Sequence, residues 1–195
     1  MKVLSIFGGP RMKGNTVTVL SWVEEELKNL GHEIERVNIV DKNVQGCIGC
    51  MSCQEFPDEP GCVQEDDALP IFEKMIHSDA VLYSCPLYCW SFPAQLKLLI
   101  DRHFCLVTGY NAGKPKSLIQ GCRTALLVTC AGPIENNADL ITESFHRFSD
   151  YLLTKPIGEL IVPFCTTPEA LGEEIQSQAL KFARHASPGL GKITI

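Results

Sequence analysis

The sequence predicts an α/β protein whose five-stranded parallel sheet is covered by helices on both faces. Five strand-like segments alternate with five segments whose apolar residues recur at helical spacing. This alternation implies right-handed crossover connections, which make the strands parallel and place helices on both sides of the sheet. The chain has 195 residues, of which 45% are hydrophobic and 21% charged, as expected for one globular domain spanning residues 1–195.

Five segments have the character of strands. The first, residues 3–7, is an apolar run that ends at two glycines and a proline. Residues 33–40 alternate and then become apolar, which is typical of an edge strand. Residues 79–84 form a fully buried run, and residues 123–129 and 157–162 complete the set.

The five helices are predicted at about residues 16–30, 66–76, 93–103, 138–152 and 168–185. Gly31 ends the first helix, and Pro93 suits the first position of the third. The apolar faces of the first three helices repeat at intervals of three and four: Leu20, Val23, Leu27 and Leu30; Leu69, Phe72, Met75 and Ile76; Leu96, Leu99, Ile100 and His103.

The composition of the chain argues against two classes of partner, nucleic acids and membranes. The formal charge is −6 and the sequence has no basic stripe, which argues against a nucleic-acid partner. No apolar run approaches the roughly 18 residues of a membrane span, and the N-terminus enters a strand without a leader, so a cytoplasmic protein with no membrane partner is expected. Ten cysteines in a reducing compartment indicate metal ligands or free thiols before disulfides.

The loop after the first strand, GGPRMKGNT at residues 8–16, leads into a helix N-terminus and so predicts an anion site. Asn15 stands where a Walker A loop needs lysine, and the dinucleotide glycine pattern is missing, so a single terminal phosphate fits best. Arg11 could bind this phosphate bidentately beside Gly9 and Pro10, with side-chain donors from Asn15 and Thr16. The alternative is an ordinary turn with a threonine N-cap.

Two further loops should meet the first one, because ligands bind at the carboxyl ends of parallel strands. These loops are CPLYCWSFP at residues 85–93 and TCAGPIENN at residues 129–137. Pro86, Tyr88, Trp90 and Phe92 offer a flat apolar surface to a planar ring, and backbone N–H groups at Cys130, Ala131 and Gly132 could meet its polar edge. Flavin mononucleotide (FMN) meets these demands. Alternatively, the aromatic residues pack a core or an interface.

A cysteine loop at about residues 45–63 contains Cys47, Cys50 and Cys53 in a C-x2-C-x2-C spacing, and Cys62 follows after eight residues. This spacing suits a 4Fe-4S cluster. A structural zinc site, a redox dithiol or free thiols remain open. The other cysteines are predicted to be inert: Cys85, Cys89, Cys105, Cys122 and Cys165, with Cys130 the least certain.

Two motifs resemble a known family. GGPRMKGNT is similar to the GSPRxxGNT loop of the flavodoxin-like NAD(P)H-dependent FMN reductases, and SCPLYCWSFPAQLKLLIDR is similar to their TPVYWGNMSAQLKxxIDR segment. The resemblance implies a flavodoxin-like fold with strand order 2-1-3-4-5. It also implies an isoalloxazine wall formed by the residues after Pro86, namely Leu87, Tyr88, Cys89 and Trp90. Gly9 departs from the family's serine.

The cysteine motif resembles that of the iron-sulfur flavoprotein branch, although the Cys53 to Cys62 interval is longer than usual there. The resemblance implies an FMN-dependent oxidoreductase that takes electrons from NAD(P)H or from a ferredoxin-type partner. It also implies a homodimer or tetramer that meets through residues 85–93, the cysteine loop and a long loop at residues 107–121.

Two other classes of protein stay open, and a third is excluded. The open ones are an electron-transfer flavoprotein without a small substrate and a flavin-free, zinc-binding interaction module. A phosphorylation receiver is excluded, because no acidic pair follows the first strand. Since flavin carries the electron chemistry itself, no catalytic side chain is predicted. Asp101, Arg102 and His103 are interpreted as structural.

Overall fold

The computed structural model describes residues 1–109 and 113–187. Its strands are β1 (Lys2–Phe7), β2 (Glu33–Asn38), β3 (Ala80–Pro86), β4 (Val107–Thr108), β5 (Lys116–Ser117), β6 (Arg123–Thr129) and β7 (Lys155–Val162). Five of them form one parallel sheet in the order β2-β1-β3-β6-β7. This order is the predicted 2-1-3-4-5 once β4 and β5 are left out of the numbering, and it confirms the flavodoxin-like fold.

The helices lie on both faces of this sheet. They are α1 (Asn15–Asn29), α2 (Ala68–Ile76), α3 (Ala94–Arg102), α4 (Asp139–Tyr151) and α5 (Glu173–Ala186). Alternate residues of β1 enter different cores: Leu4 and Ile6 join α2, α3 and α4, whereas Val3 and Phe7 join α1 and α5. Within the described part of the chain, none of these helices is long and apolar enough to span a membrane.

The element boundaries differ from the prediction in three places. Residues 39–41 form a 3₁₀ turn where the second strand was predicted to continue. The predicted last helix is divided into a 3₁₀ turn at Pro168–Ala170 and α5. The predicted loop at residues 107–121 contains the antiparallel pair β4 and β5, whose two-residue strands are too short for a periodic signal; residues 110–112 of this loop lie outside the described residues.

Candidate functional site

The loop after β1 is shaped by two close contacts. Gly8 donates its backbone N–H to the Ser84 carbonyl at 2.8 Å, which joins the loop to the end of β3. A Cβ atom at Gly9 would lie 2.6 Å from the Phe7 ring and 2.9 Å from Pro86 Cδ. The serine found here in the family therefore does not fit without a shift of Phe7 or Pro86, which gives a physical reason for the departure at Gly9.

The N-terminus of α1 faces this loop with its backbone donors uncapped. The N-cap is Gly14 in an extended conformation, and no side chain in the described part of the chain caps the helix. The first N–H groups of a helix have no partner within the helix and carry its positive dipole end. Arg11 and Lys13 line the same space. This arrangement can bind a phosphate.

The two predicted side-chain donors of this loop already make contacts within the protein. Asn15 Nδ2 donates to the Thr167 carbonyl at 2.7 Å and lies 3.4 Å from Cys165 Sγ. The hydroxyl groups of Thr16 and Thr129 are 2.6 Å apart and hydrogen-bonded. These contacts join α1 to the end of β6 and to the loop after β7, and they engage the Asn15 amide, so backbone N–H groups and cations are the main donors for an anion.

A cavity of about 290 Å³ lies where the loops after β1, β3 and β6 meet. It is close to the lower end of the roughly 300 to 1,000 Å³ of small-molecule pockets. Most of the predicted FMN-binding residues line it: Gly9, Pro10, Arg11, Asn15, Thr16, Pro86, Leu87, Tyr88, Cys130 and Ala131. The phosphate loop forms one end and Pro86 to Tyr88 an apolar wall, so the chemistry of the lining fits FMN.

Three predicted residues do not line this cavity: Cys89, Trp90 and Gly132. Cys89 and Trp90 form the tip of a tight turn in which Tyr88 and Ser91 exchange backbone hydrogen bonds of 3.1 and 2.9 Å. Both tip residues have positive φ, 46° and 60°, a conformation that normally favours glycine or asparagine. Trp90 is 56% exposed, whereas Phe92 is buried and packs on Phe148.

One loop of the cavity was missed by the sequence analysis. Cys165, Thr166 and Pro168, which follow β7, line the cavity together with Thr129 at the end of β6. The available signal was that β7 ends at the same edge of the parallel sheet. Burial raises the pKa of the Cys130 and Cys165 thiols, which keeps both as neutral lining groups.

A second, smaller cavity of about 20 Å³ gathers the cysteine loop. Its lining includes all four predicted metal ligands, Cys47, Cys50, Cys53 and Cys62, together with Arg102 and a fifth thiol, Cys105. Gln54 joins the loop to the segment around Cys105, because its Nε2 donates to the carbonyls of Phe104 at 3.3 Å and Val107 at 2.9 Å. Neither Arg102 nor Cys105 was predicted at this site.

The thiols of this cavity differ in acidity. Hydrogen bonds from the Ser52 N–H and hydroxyl lower the pKa of the exposed Cys50 thiol. Burial raises the pKa of Cys53, and the nearby Cys62, Cys50 and Cys47 raise it further, which places all four motif sulfurs within electrostatic reach. Burial raises the pKa of Cys105 to about 12, which favours its neutral form.

These thiols do not form a ready site for a single metal ion. Among the described residues, no group of three or more His, Cys, Asp or Glu side chains is placed to share one. Thiolates on one zinc ion need Zn–S bonds of about 2.3 Å, which brings them close together. A cluster of several irons spreads its ligands over a larger body, and metal sites commonly form only as the metal binds.

Together, the strand order, the uncapped helix behind a glycine loop and the lining of the larger cavity define a flavodoxin-like protein with a cavity whose chemistry fits FMN. Comparison with known proteins specifies the family. The sequence profile of the NADPH-dependent FMN reductases matches residues 1–163, and the chain belongs to this family.

Curated relatives carry the name iron-sulfur flavoprotein. One from Archaeoglobus fulgidus is 38% identical over 102 residues, covering 52% of this chain and 45% of the relative. One from Methanocaldococcus jannaschii is 36% identical over 111 residues, covering 57% and 56%. The chain thus spans about half the length of these relatives.

Solved structures support the fold. An NAD(P)H:quinone oxidoreductase from Methanothermobacter marburgensis aligns with a TM-score of 0.71 and 20% identity, over 95% of this chain and 96% of that one. An FMN-dependent NADH-azoreductase from Bacillus anthracis, in complex with FMN, aligns with a TM-score of 0.67 and 18% identity, over 95% and 98%.

Proposed function

We propose that this protein is an FMN-dependent oxidoreductase that passes electrons from NAD(P)H or a ferredoxin to an acceptor through an iron-sulfur cluster in the cysteine loop. The observation that carries the proposal is that one chain has both a cavity that joins the glycine loop and the N-terminus of α1 to an apolar wall and a separate cavity lined by four motif thiols. Bound FMN supplies two-electron and one-electron chemistry.

The residues of the larger cavity would bind and orient the flavin. Backbone N–H groups of the loop after β1 and of the α1 N-terminus, with Arg11, would hold the phosphate. Pro86, Leu87 and Tyr88 would face the ring, and the backbone at Ala131 would meet its polar edge, because the predicted Cys130 N–H already donates to the Val162 carbonyl at 2.9 Å. Trp90 does not line the cavity, so it would reach the ring only if the turn that carries it, residues 88–91, moves.

The residues of the smaller cavity would hold the cluster. Cys47, Cys50, Cys53 and Cys62 would be the ligands, and the pKa of the Cys50 thiol is lowered because Ser52 donates to its sulfur. Helix α3 follows the turn at residues 88–91 in sequence and ends at Arg102, which lines the cysteine cavity; its nine residues are about 13 Å long. The relatives named iron-sulfur flavoproteins support this assignment.

The first experiment is a spectrum of the purified protein, followed by reduction with NADH or NADPH. Flavin bands that bleach with either nicotinamide, without another protein, are the expected result. Flavin that bleaches only with a reduced ferredoxin would exclude NAD(P)H as the donor and favour an electron-transfer flavoprotein without a small-molecule substrate. A colourless protein that contains zinc would replace the proposal with the zinc-binding module.

The cluster is tested by assaying iron and acid-labile sulfide on protein purified without oxygen, with wild type beside Cys50→Ser. The expected result is about four irons per chain in the wild type and none in the variant, with flavin retained in both. An iron-free wild type would leave a plain FMN reductase.

A symmetric dimer, or a dimer of dimers, is proposed as the assembly. Large apolar side chains are exposed on the cysteine loop and on the turn at residues 88–91. Among them, Ile48 is 65% exposed and Trp90 is 56% exposed. An apolar surface of this kind is typical of an interface. Light scattering of the FMN-loaded protein should give two or four chains; a uniform monomer would contradict the assembly.

A further inference from the structure

The most deeply buried charged side chain of the described residues lies under the cysteine cavity. Arg102, at the end of α3, is 1% exposed, and its partner Asp66 has a side chain that is 3% exposed. A buried ion pair is not by itself a gain in stability, because removing both charges from water is costly. Stability alone therefore does not explain why this ion pair is buried under the cysteine cavity.

Arg102 holds both ends of the cysteine loop. Its Nη1 donates to the Gln45 carbonyl at 3.0 Å and to Asp66 Oδ2 at 2.7 Å, and its Nη2 donates to Asp66 Oδ1 at 3.1 Å. The Asp66 carboxylate also accepts the backbone N–H groups of Gln45 at 2.8 Å and of Ala68 at 3.0 Å. Residues on either side of the loop thus meet at one guanidinium.

The guanidinium has donor capacity left over. It carries five N–H groups, and its Nε makes no hydrogen bond within the described part of the chain. Arg102 lines the cavity with the four motif thiols, and Cys62 lies within interaction range of the guanidinium. An unpaired buried donor is costly unless a ligand satisfies it.

We propose that Arg102 is the positioning residue of the cysteine cavity: it fixes the two ends of the loop through Asp66 and Gln45, and it faces the bound sulfur-rich anion with its remaining N–H groups. The first half of this inference, that Arg102 fixes the ends of the loop, does not depend on the proposed cluster. The second half, that Arg102 faces the bound anion, rests on it. Net charge and hydrogen bonds to sulfur set the potential of an iron-sulfur cluster, so a buried cation here favours the reduced, more negative state.

The chain offers a matched control. Arg36 is also paired with a largely buried carboxylate, Glu24, with Nε at 2.8 Å from Oε1, but it lies on β2 outside the cysteine cavity. The variants are Arg102→Gln, which removes the charge, Arg102→Lys, which keeps the charge without the planar fork, and the same two changes at Arg36.

The first measurement is amide hydrogen exchange on metal-free protein. In Arg102→Gln, exchange at Gln45 and Ala68 should accelerate at least tenfold, while the amides of β6 keep their rate. Arg102→Lys should show a smaller acceleration at the same two amides, and it is the variant to test if Arg102→Gln does not fold. Unchanged exchange in a folded Arg102 variant, or the same acceleration in the Arg36 variants, would overturn the first half of the inference.

The second measurement is the midpoint potential of the anaerobically loaded protein. Arg102→Gln should lower the reduced-to-oxidised ratio at a fixed potential by about tenfold, which equals about 59 mV for one electron. Arg102→Lys should lower it less. If the midpoint potential of Arg102→Gln equals that of the wild type, Arg102 only fixes the loop. That result would overturn the second half of the inference. If wild type binds no iron, the second half fails with the proposed cluster, and the exchange result alone decides the first.

Discussion

The phosphate loop and the cysteine loop, the two proposed binding regions of the chain, offer different kinds of binding atom. At residues 8–16 the donors are mainly backbone N–H groups, held in place by a helix and by the close contacts of Gly8 and Gly9. At residues 45–63 the binding atoms are side-chain sulfurs on a segment whose regular part is one short 3₁₀ turn, Ser52–Glu55. A backbone site can be complete before its ligand arrives, whereas a thiol site is completed by its metal.

The sharpest test of this difference is the loss of single thiols. Cys62→Ser should remove all iron from anaerobically prepared protein, because the cluster loses one of its four ligands. Cys105→Ser should retain the iron, because Cys105 lines the cavity but lies outside the four-cysteine motif. Iron, sulfide and flavin content are the measurements. Iron lost from Cys105→Ser but kept by Cys62→Ser would assign the fourth ligand to Cys105.

The next effect concerns the phosphate. Arg11→Ala should weaken FMN binding by about 1.5 to 3 kcal/mol, the range for a hydrogen bond to a charged group. Riboflavin, which has no phosphate, should bind wild type and variant equally, and iron content should not change. Fluorescence titration of the flavin-free protein measures both ligands. An equal loss for FMN and riboflavin would place the phosphate elsewhere.

Glycine substitutions compare the shape of the two loops. Gly9→Ala should destabilise the protein by about 1 to 3 kcal/mol, because the new methyl group would overlap Phe7 and Pro86. Gly49→Ala in the cysteine loop meets no atom within 4 Å, so only its positive φ of 66° opposes the change, at about 1 kcal/mol. Urea unfolding of the flavin-free proteins measures both; a larger loss at Gly49 would reverse the comparison.

The smallest expected effect is a gain in stability at left-handed residues. Trp90 beside the larger cavity and Met51 in the cysteine loop have φ of 60° and 65°. Replacing either with glycine relieves backbone strain but increases the entropy of the unfolded chain, so a net gain of about 0.5 kcal/mol is expected. Trp90→Phe, which keeps the strain, is the control in the same unfolding experiment. A loss of stability in both glycine variants would show that side-chain contacts outweigh the strain.

The fold could be predicted because its three central strands, β1, β3 and β6, are buried on both faces and therefore appear as short apolar runs between amphipathic helices. Strand order could not be obtained from that periodicity and came from the family motifs. The hairpin of β4 and β5 was missed because two residues carry no detectable period. At the phosphate site, the glycines and Arg11 are local in sequence, so their grouping in one cavity was predictable.

Arg102 shows what sequence alone did not reveal. A charged pair at the end of a helix was interpreted as structural, yet the cysteine loop covers this helix end and buries the side chain. One signal was available: Arg102 follows Leu99 by three residues and so belongs to the buried face of α3. The distance in sequence between Arg102 and Asp66 made their contact invisible to any local pattern.

The base of the cysteine loop has a consequence for how such proteins can diversify. The backbone N–H of Asp67 donates to the Asn43 carbonyl at 3.0 Å, and that of Asn43 donates to Asp67 Oδ2 at 2.7 Å. The segment between them starts and ends at this one point and packs over the end of α3, without contributing a strand to the sheet. Insertions and deletions within it change the length of a closed loop, whose entropic cost grows only slowly. Related proteins can thus differ in the length or sequence of this loop while the sheet and the loops of the proposed flavin site stay the same.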